Sequence, residues 1–332
     1  LQPPTGTTRI LLVGGSTSFG YPTRPRGPEP LDEPVHGIGG VLQASLDQAW
    51  PDQFEIVNIG VNGGASDDTL RLLRRSTGWG ASAVVVYDGH NEFLSVPARF
   101  PSGLWRFSLV RQLLQALPRV TSSPGWTGPP AYIDAAHRKA VVDVFERNLE
   151  SILKVSRRAD LVVVLATQAA NLADLDPNWS TDETGSKQDL STLSDDELEA
   201  LWEAHPRSAD LAWILGRRRM KEGGDAGAPL RAALDNDGLL LRAPAGINRV
   251  IREVAEREQV VVVDTQAFLD TLTPVPGNEI FYDWVHPRQV GALPIARGIL
   301  DGLTEAGVLP GTVGEVVSPQ IPLEDLLEGE LR

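Results

Sequence analysis

The chain has 332 residues, 42% of them hydrophobic and 22% charged, with 44 acidic against 30 basic side chains. That length accommodates one large domain or two smaller ones around a sizeable core. The net charge of -14 argues against a nucleic-acid or anionic-membrane partner, and the lack of cysteine removes disulfides, thiol nucleophiles and cysteine-held metals.

In chain order, Arg9–Gly14 is a branched apolar run that reads as a buried strand. It breaks into Gly14-Gly15-Ser16-Thr17-Ser18-Phe19-Gly20, a sharp turn at the strand's carboxyl end, where open parallel sheets bind ligands. Three readings compete for this turn. A phosphate loop fails, because Tyr21 and Pro22 stand where Lys and Ser/Thr are required. An ordinary strand-to-helix turn needs nothing further. A nucleophile at Ser16 demands a base and an oxyanion hole elsewhere.

Residues Tyr21–Val35 are proline-rich and form a rim loop carrying Arg24 and Arg26; these attract an anionic substrate or are simply solvated. A helix over Gly37–Ala49 precedes a second strand, Phe54–Ile59, which ends in Gly60-Val61-Asn62-Gly63-Gly64. A helix at Ser66–Ser76 leads to a third strand, Ala83–Tyr87, ending in Asp88-Gly89-His90-Asn91-Glu92. The segment Leu94–Tyr132 is amphipathic, then rich in Pro and Gly; it walls a cleft, touches a membrane, or packs on its own domain. Its Trp105 and Trp126 either stack on a sugar or fill the core.

A long helix at Asp134–Arg158 and a strand at Leu161–Ala166 follow. Residues 172–240 form a polar connection and then helical pieces at Asp195–Ala204, Ser208–Glu222 and Ala226–Leu234. Ala212-Trp213-Ile214-Leu215-Gly216 gives them the look of one tetratricopeptide-type hairpin. A single repeat cannot bury its own faces, so the piece is read as an insertion packed on the main domain, with a protein-partner role as the alternative. Asp195-Asp196-Glu197 reads as a helix amino-terminal cap and solvated face rather than a metal site. A helix at Ala243–Arg257, a strand at Val260–Asp264 and a helix at Pro287–Glu305 complete an alternation that implies a parallel sheet covered on both faces.

Of the five histidines, His36 is placed to line the site from the rim loop, while His137 and His205 read as surface residues. His90 and His286 remain. Asp283 stands three residues before His286, in reach of its imidazole within a turn, and such a carboxylate fixes the tautomer of a base. No third ligand clusters with the pair, so no metal is expected.

Ser16 after the first strand, Gly63 after the second, Gly89-His90-Asn91-Glu92 after the third and Asp283-x-x-His286 near the end resemble, in that order, the SGNH (GDSL-type) hydrolase family. The resemblance spans roughly residues 9–166 and 244–306. It implies a three-layer flavodoxin-like α/β fold with a parallel sheet of about five strands, one domain over 1–332 and a cofactor-free serine esterase. Ser16, Asp283 and His286 take the triad positions, and Ser16, Gly63 and Asn91 the oxyanion hole. Small acyl esters, acetyl groups on glycans among them, are the family-level substrate expectation; an O-acyltransferase and an idle binding module are the alternatives. Two departures stand out: Gly14-Gly15-Ser16 replaces the usual Gly-Asp-Ser, and Glu92 stands where Asp is commoner. No basic start with an apolar signal core is present, but an opening Leu1-Gln2-Pro3-Pro4 without Met is expected of a trimmed terminus, leaving room for a removed signal or anchor.

Overall fold

The structure, a computed structural model, describes residues 2–20, 37–95, 135–178, 180 and 190–317. Residues 21–36, with Arg24, Arg26 and His36, and residues 96–134, with Trp105 and Trp126, lie outside the described part.

Five strands, β1 (Thr8–Gly14), β2 (Phe54–Asn58), β3 (Ala81–Tyr87), β4 (Val162–Ala166) and β5 (Val261–Val263), form one parallel sheet in the order β2-β1-β3-β4-β5. Each is an apolar run because both of its faces are covered. On one face Ile10, Leu12, Val85 and Val164 pack against helices α2 (Ile38–Ala49) and α11 (Gln289–Glu305). On the other, Leu11, Val13, Val84 and Leu165 meet α3 (Ser66–Ser76), α5 (Ala135–Arg158) and α9 (Ala245–Glu258). This is the expected three-layer α/β arrangement. The strand order reverses between β1 and β3, so a crevice opens at their carboxyl ends.

Two short helices begin there: α1 (Ser16–Phe19) after β1 and α4 (Glu92–Ser95) after β3. Gly14 at the end of β1 has φ 150°, and a side chain there would run into the Tyr87 carbonyl oxygen of β3. Gly14→Ala is therefore expected to cost about 3 kcal/mol or more of stability, read as a lowered thermal or denaturant midpoint.

Helices α6 (Asp195–Ala204), α7 (Ala209–Lys221) and α8 (Gly227–Asn236) fall in the expected insertion. Ser194 accepts from the Glu197 N–H and Glu197 accepts from the Ser194 N–H, so the acidic run caps α6 as expected. Leu230 and Leu234 of α8 pack with Ala170 and Leu172 from the loop after β4. Arg217 of α7 bonds the Ala173 carbonyl and the Asp174 carboxylate, tying the helices to that loop.

Three details depart from the sequence reading. Asp264 leaves β5 to cap α10 (Thr265–Leu272), its Oδ1 accepting from the Ala267 N–H at 3.1 Å. The last helix starts at Gln289 because Pro287 bridges back to Phe281. His137, expected at the surface, is buried at 7% exposure in the first turn of α5; His205 is exposed as expected.

Candidate active site

Ser16 opens α1 directly after the glycine turn and is 5% exposed. Its turn is tied to both neighbouring strand ends. Ser18 Oγ donates to the Tyr87 carbonyl at 2.7 Å, and Asn58 Nδ2 donates to the Ser18 carbonyl at 2.6 Å. The Val61 N–H donates to the Gly14 carbonyl at 2.9 Å. The backbone around Ser16 is thus held from β2 and β3 at once.

His286 and Asp283 stand on a tight loop closed by the Phe281–Pro287 bridge and by the Tyr282 N–H donating to the His286 carbonyl at 2.8 Å. Phe281 anchors this loop in the core. Asn171, fully buried after β4, donates its N–H to the Trp284 carbonyl at 2.9 Å and its Nδ2 to the Asp283 carbonyl. Arg288 Nε adds bonds to the carbonyls of Asn278 and Phe281.

The geometry brings Ser16, His286 and Asp283 together across 270 positions of sequence. His286 Nε2 lies 2.7 Å from Ser16 Oγ, and His286 Nδ1 lies 2.6 Å from Asp283 Oδ2. Asp283 Oδ1 accepts from the N–H groups of Val285 and His286, each at 3.0 Å. Burial pushes the Asp283 carboxyl up, but the hydrogen bonds from the His286 ring and these two N–H groups outweigh it and hold it below the usual carboxylate range. An ionised carboxylate only accepts, so Nδ1 carries the ring proton of the neutral imidazole. Nε2 is then the acceptor and the Ser16 hydroxyl the donor.

Asn91, buried at the start of α4, donates Nδ2 to the Gly64 carbonyl at 2.8 Å. A side chain on Gly15 would come within 2.8 Å of that same amide nitrogen. The space beside Ser16 that an aspartate at position 15 would need is therefore taken by the Asn91 amide. Gly63 adopts φ 71° in the turn closed by the Gly64 N–H on the Val61 carbonyl. Neither the Ser16 nor the Gly63 N–H meets an acceptor among the described residues.

His90 is buried between Gly89 and Asn91, its Nδ1 accepting from the Ala243 N–H at 3.1 Å. Burial, and then the neighbouring His286, push its pKa down to about 3, so it stays neutral. Among the described residues no group of three His, Asp or Glu side chains is arranged to hold a metal, and no helix is long and apolar enough to cross a membrane.

Asn171, Asn58 and Ser18 were not legible as site residues, because their partners are backbone carbonyls of distant segments, which no spacing announces. The buried carboxyls of Asp88 and Glu92 were also missed as a pair, although both lie in the block that supplies Asn91.

No known protein-family model matches the chain, and no curated protein matches it. Solved structures similar to it include Axe2, an acetylxylan esterase from Geobacillus stearothermophilus, 15% identical with a TM-score of 0.48 over 96% of this chain and 100% of that one. LAE5, described as an alpha/beta hydrolase enzyme from the metagenome of Lake Arreo, Spain, is 16% identical with a TM-score of 0.48, covering 92% and 97%. A member of the lipolytic protein G-D-S-L family from Veillonella parvula is 13% identical with a TM-score of 0.45, covering 90% and 99%.

Proposed function

We propose that the chain is a serine ester hydrolase of the SGNH (GDSL) type, acting on acyl esters through Ser16, His286 and Asp283. The observation that carries this reading is the unbroken hydrogen-bond chain from the Ser16 hydroxyl through both ring nitrogens of His286 to an ionised Asp283. A serine hydroxyl is a poor nucleophile until a positioned imidazole removes its proton, and the imidazolium that forms needs a carboxylate beside it.

In the proposed reaction His286 Nε2 takes the hydroxyl proton as Ser16 Oγ bonds to the ester carbonyl carbon. The carbonyl oxygen becomes an oxyanion, received by the Ser16 and Gly63 N–H groups and the Asn91 amide. His286 returns the proton to the alkoxide as the carbon–oxygen bond breaks, leaving an acyl group on Ser16. Water then enters; His286 deprotonates it, the acid departs, and Ser16 recovers its hydrogen. Donors set in advance at the oxyanion's position carry much of the rate. Asn91→Ala is accordingly expected to lower kcat by about 10²- to 10³-fold with the fold intact, read by steady-state ester hydrolysis beside circular dichroism.

The catalytic unit is a single domain in this reading, with residues 172–240 as an insertion packed onto it by Leu230, Leu234 and Arg217. The expected substrate is a small acyl ester, with acetylated carbohydrate as the family-level candidate. A chain-length series of nitrophenyl esters tests both points. Preference for acetate over octanoate supports a small-acyl site, and the reverse points to a longer pocket. Product that forms only when a hydroxyl acceptor is added would make the reaction acyl transfer. Folded protein that hydrolyses no member of the series and transfers no acyl group would overturn the reading.

A further inference from the structure

Two observations around Asn91 stand outside the triad. Helix α3 begins at Ser66 with Ala65 as its cap residue, and Ala65 has no side chain able to accept a bond from the first turn. The missing cap is supplied from the next strand end. Glu92 Oε1 accepts from the Ser66 N–H and Oε2 from the Ser66 hydroxyl, both at 2.8 Å. Asn91, the residue before it, bonds the Gly64 carbonyl. Consecutive side chains of one loop therefore grip the Gly63–Ser66 segment at two points, on either side of Ala65.

We infer that Glu92 is a positioning residue for the oxyanion donors, holding the Gly63–Ser66 segment in register with Asn91. The inference rests on the ester-hydrolase reading of the site and adds to it the group that fixes where Gly63 and Asn91 stand.

The direction of the surrounding bonds gives the state in which Glu92 does this. Asn148, buried on α5, donates Nδ2 to Ser66 Oγ at 2.9 Å and to Asp67 Oδ1 at 2.6 Å. The carboxylate at Asp67 can only accept, which fixes the amide's orientation, and the Ser66 hydroxyl hydrogen is then directed at Glu92. Glu92 thus accepts at both of its oxygens. Asp88, equally buried, accepts from the Gly89 N–H at 2.9 Å and from Thr69 Oγ1 at 2.5 Å. Neither carboxyl has a cationic partner among the described residues. Burial pushes both well above the usual carboxylate range; Asp67 and Asp68 add to this at Asp88, and Asp88 adds to it at Glu92. The titratable groups facing the pair are Asp67 and Asp68 of α3, the latter bonded to Arg71, while α5 contributes the neutral Asn148. Like Glu92, Asp88 accepts at both carboxyl oxygens, so the two buried carboxyls titrate as one unit that keeps a proton at neutral pH. When alkali removes that proton, two buried like charges face each other and the grip on Ser66 is driven apart.

Raised carboxyl pKa values contribute stability that is complete below the unfolded-state pKa and is lost as pH rises through the folded-state value. The weakening is therefore alkaline, centred near about 8. The test compares wild type, Glu92→Ala, Glu92→Gln and Asp88→Asn for kcat, KM and thermal midpoint across neutral and alkaline pH with a nitrophenyl ester. Glu92→Ala is expected to lower kcat by about 10- to 100-fold while KM changes less than about threefold, because a displaced donor acts on the transition state more than on substrate binding. Glu92→Gln keeps an acceptor for the Ser66 N–H without the second charge. It is expected to restore most of kcat at neutral pH and to abolish the alkaline decline of both kcat and thermal midpoint; Asp88→Asn is expected to abolish the decline too. Unchanged kcat in folded Glu92→Ala overturns the inference. If that variant does not fold, an alkaline decline in Glu92→Gln identical to wild type overturns it instead. A wild-type protein without ester hydrolysis refutes the functional reading itself, a separate failure seen before any variant is made.

Discussion

Ser16→Ala is expected to lower kcat for an acyl ester by on the order of 10⁵-fold or more while leaving the thermal midpoint within a few degrees of wild type. The size follows from what the hydroxyl does. It lies 2.7 Å from His286 Nε2, so its removal abolishes the covalent intermediate and strands the base without that proton to take. Whatever activity remains comes from the oxyanion donors and from water activated by His286. Stability is spared because the turn is held by Ser18 and Asn58 and by the backbone, not by the Ser16 side chain. Rates of wild type and variant with one nitrophenyl ester, with a calorimetric scan of each, check both halves. A variant retaining a tenth of wild-type activity would show that another group attacks the carbonyl.

The second large effect is expected at Asp283→Asn, a loss of about 10⁴-fold in kcat. The physical reason lies in how the carboxylate is seated. Its Oδ1 accepts from the N–H groups of Val285 and His286, so an asparagine keeps its carbonyl oxygen there and must turn its NH2 toward His286 Nδ1. Two N–H groups cannot face each other. The imidazole is therefore forced into the tautomer with its proton on Nε2, where it can no longer accept from Ser16. Both backbone bonds survive, so the loop keeps its shape and folding stability changes little. A fall in kcat without a fall in thermal midpoint is the expected pattern. Full activity in Asp283→Asn would mean that the tautomer is set by something other than this carboxylate.

Much of this site was legible because it is built at strand ends. Continuous apolar runs such as Ile10–Val13 and Val84–Val86 announced strands covered on both faces, and in a parallel sheet their carboxyl ends must lie along one edge. Ser16, Gly63 and Asn91 each follow such a run, so the fold class alone puts all three along that edge. Asp283 and His286 were readable for a different reason: a carboxylate three residues before an imidazole needs only a local turn. What stayed hidden depends on contacts between segments far apart in sequence. Asn171 holds the His286 loop through backbone carbonyls, and Glu92 caps a helix that begins 26 positions earlier. His137 was misread because a helix start is ordinarily exposed, whereas the first turn of α5 is covered. The glycine at position 15 is the instructive case. Read as the loss of a carboxylate, it is in the structure the space that lets the Asn91 amide approach the Ser16 turn.

The most direct test of the account is covalent labelling of the folded protein with a fluorophosphonate, followed by peptide mass spectrometry. The phosphorus is attacked as an ester carbonyl would be, fluoride leaves, and the adduct marks the attacking oxygen. The account predicts one adduct, on the peptide containing Ser16, formed with loss of ester hydrolysis and absent from His286→Ala. A folded protein that takes up no label at Ser16, or that loses its activity through label on another residue, would contradict it.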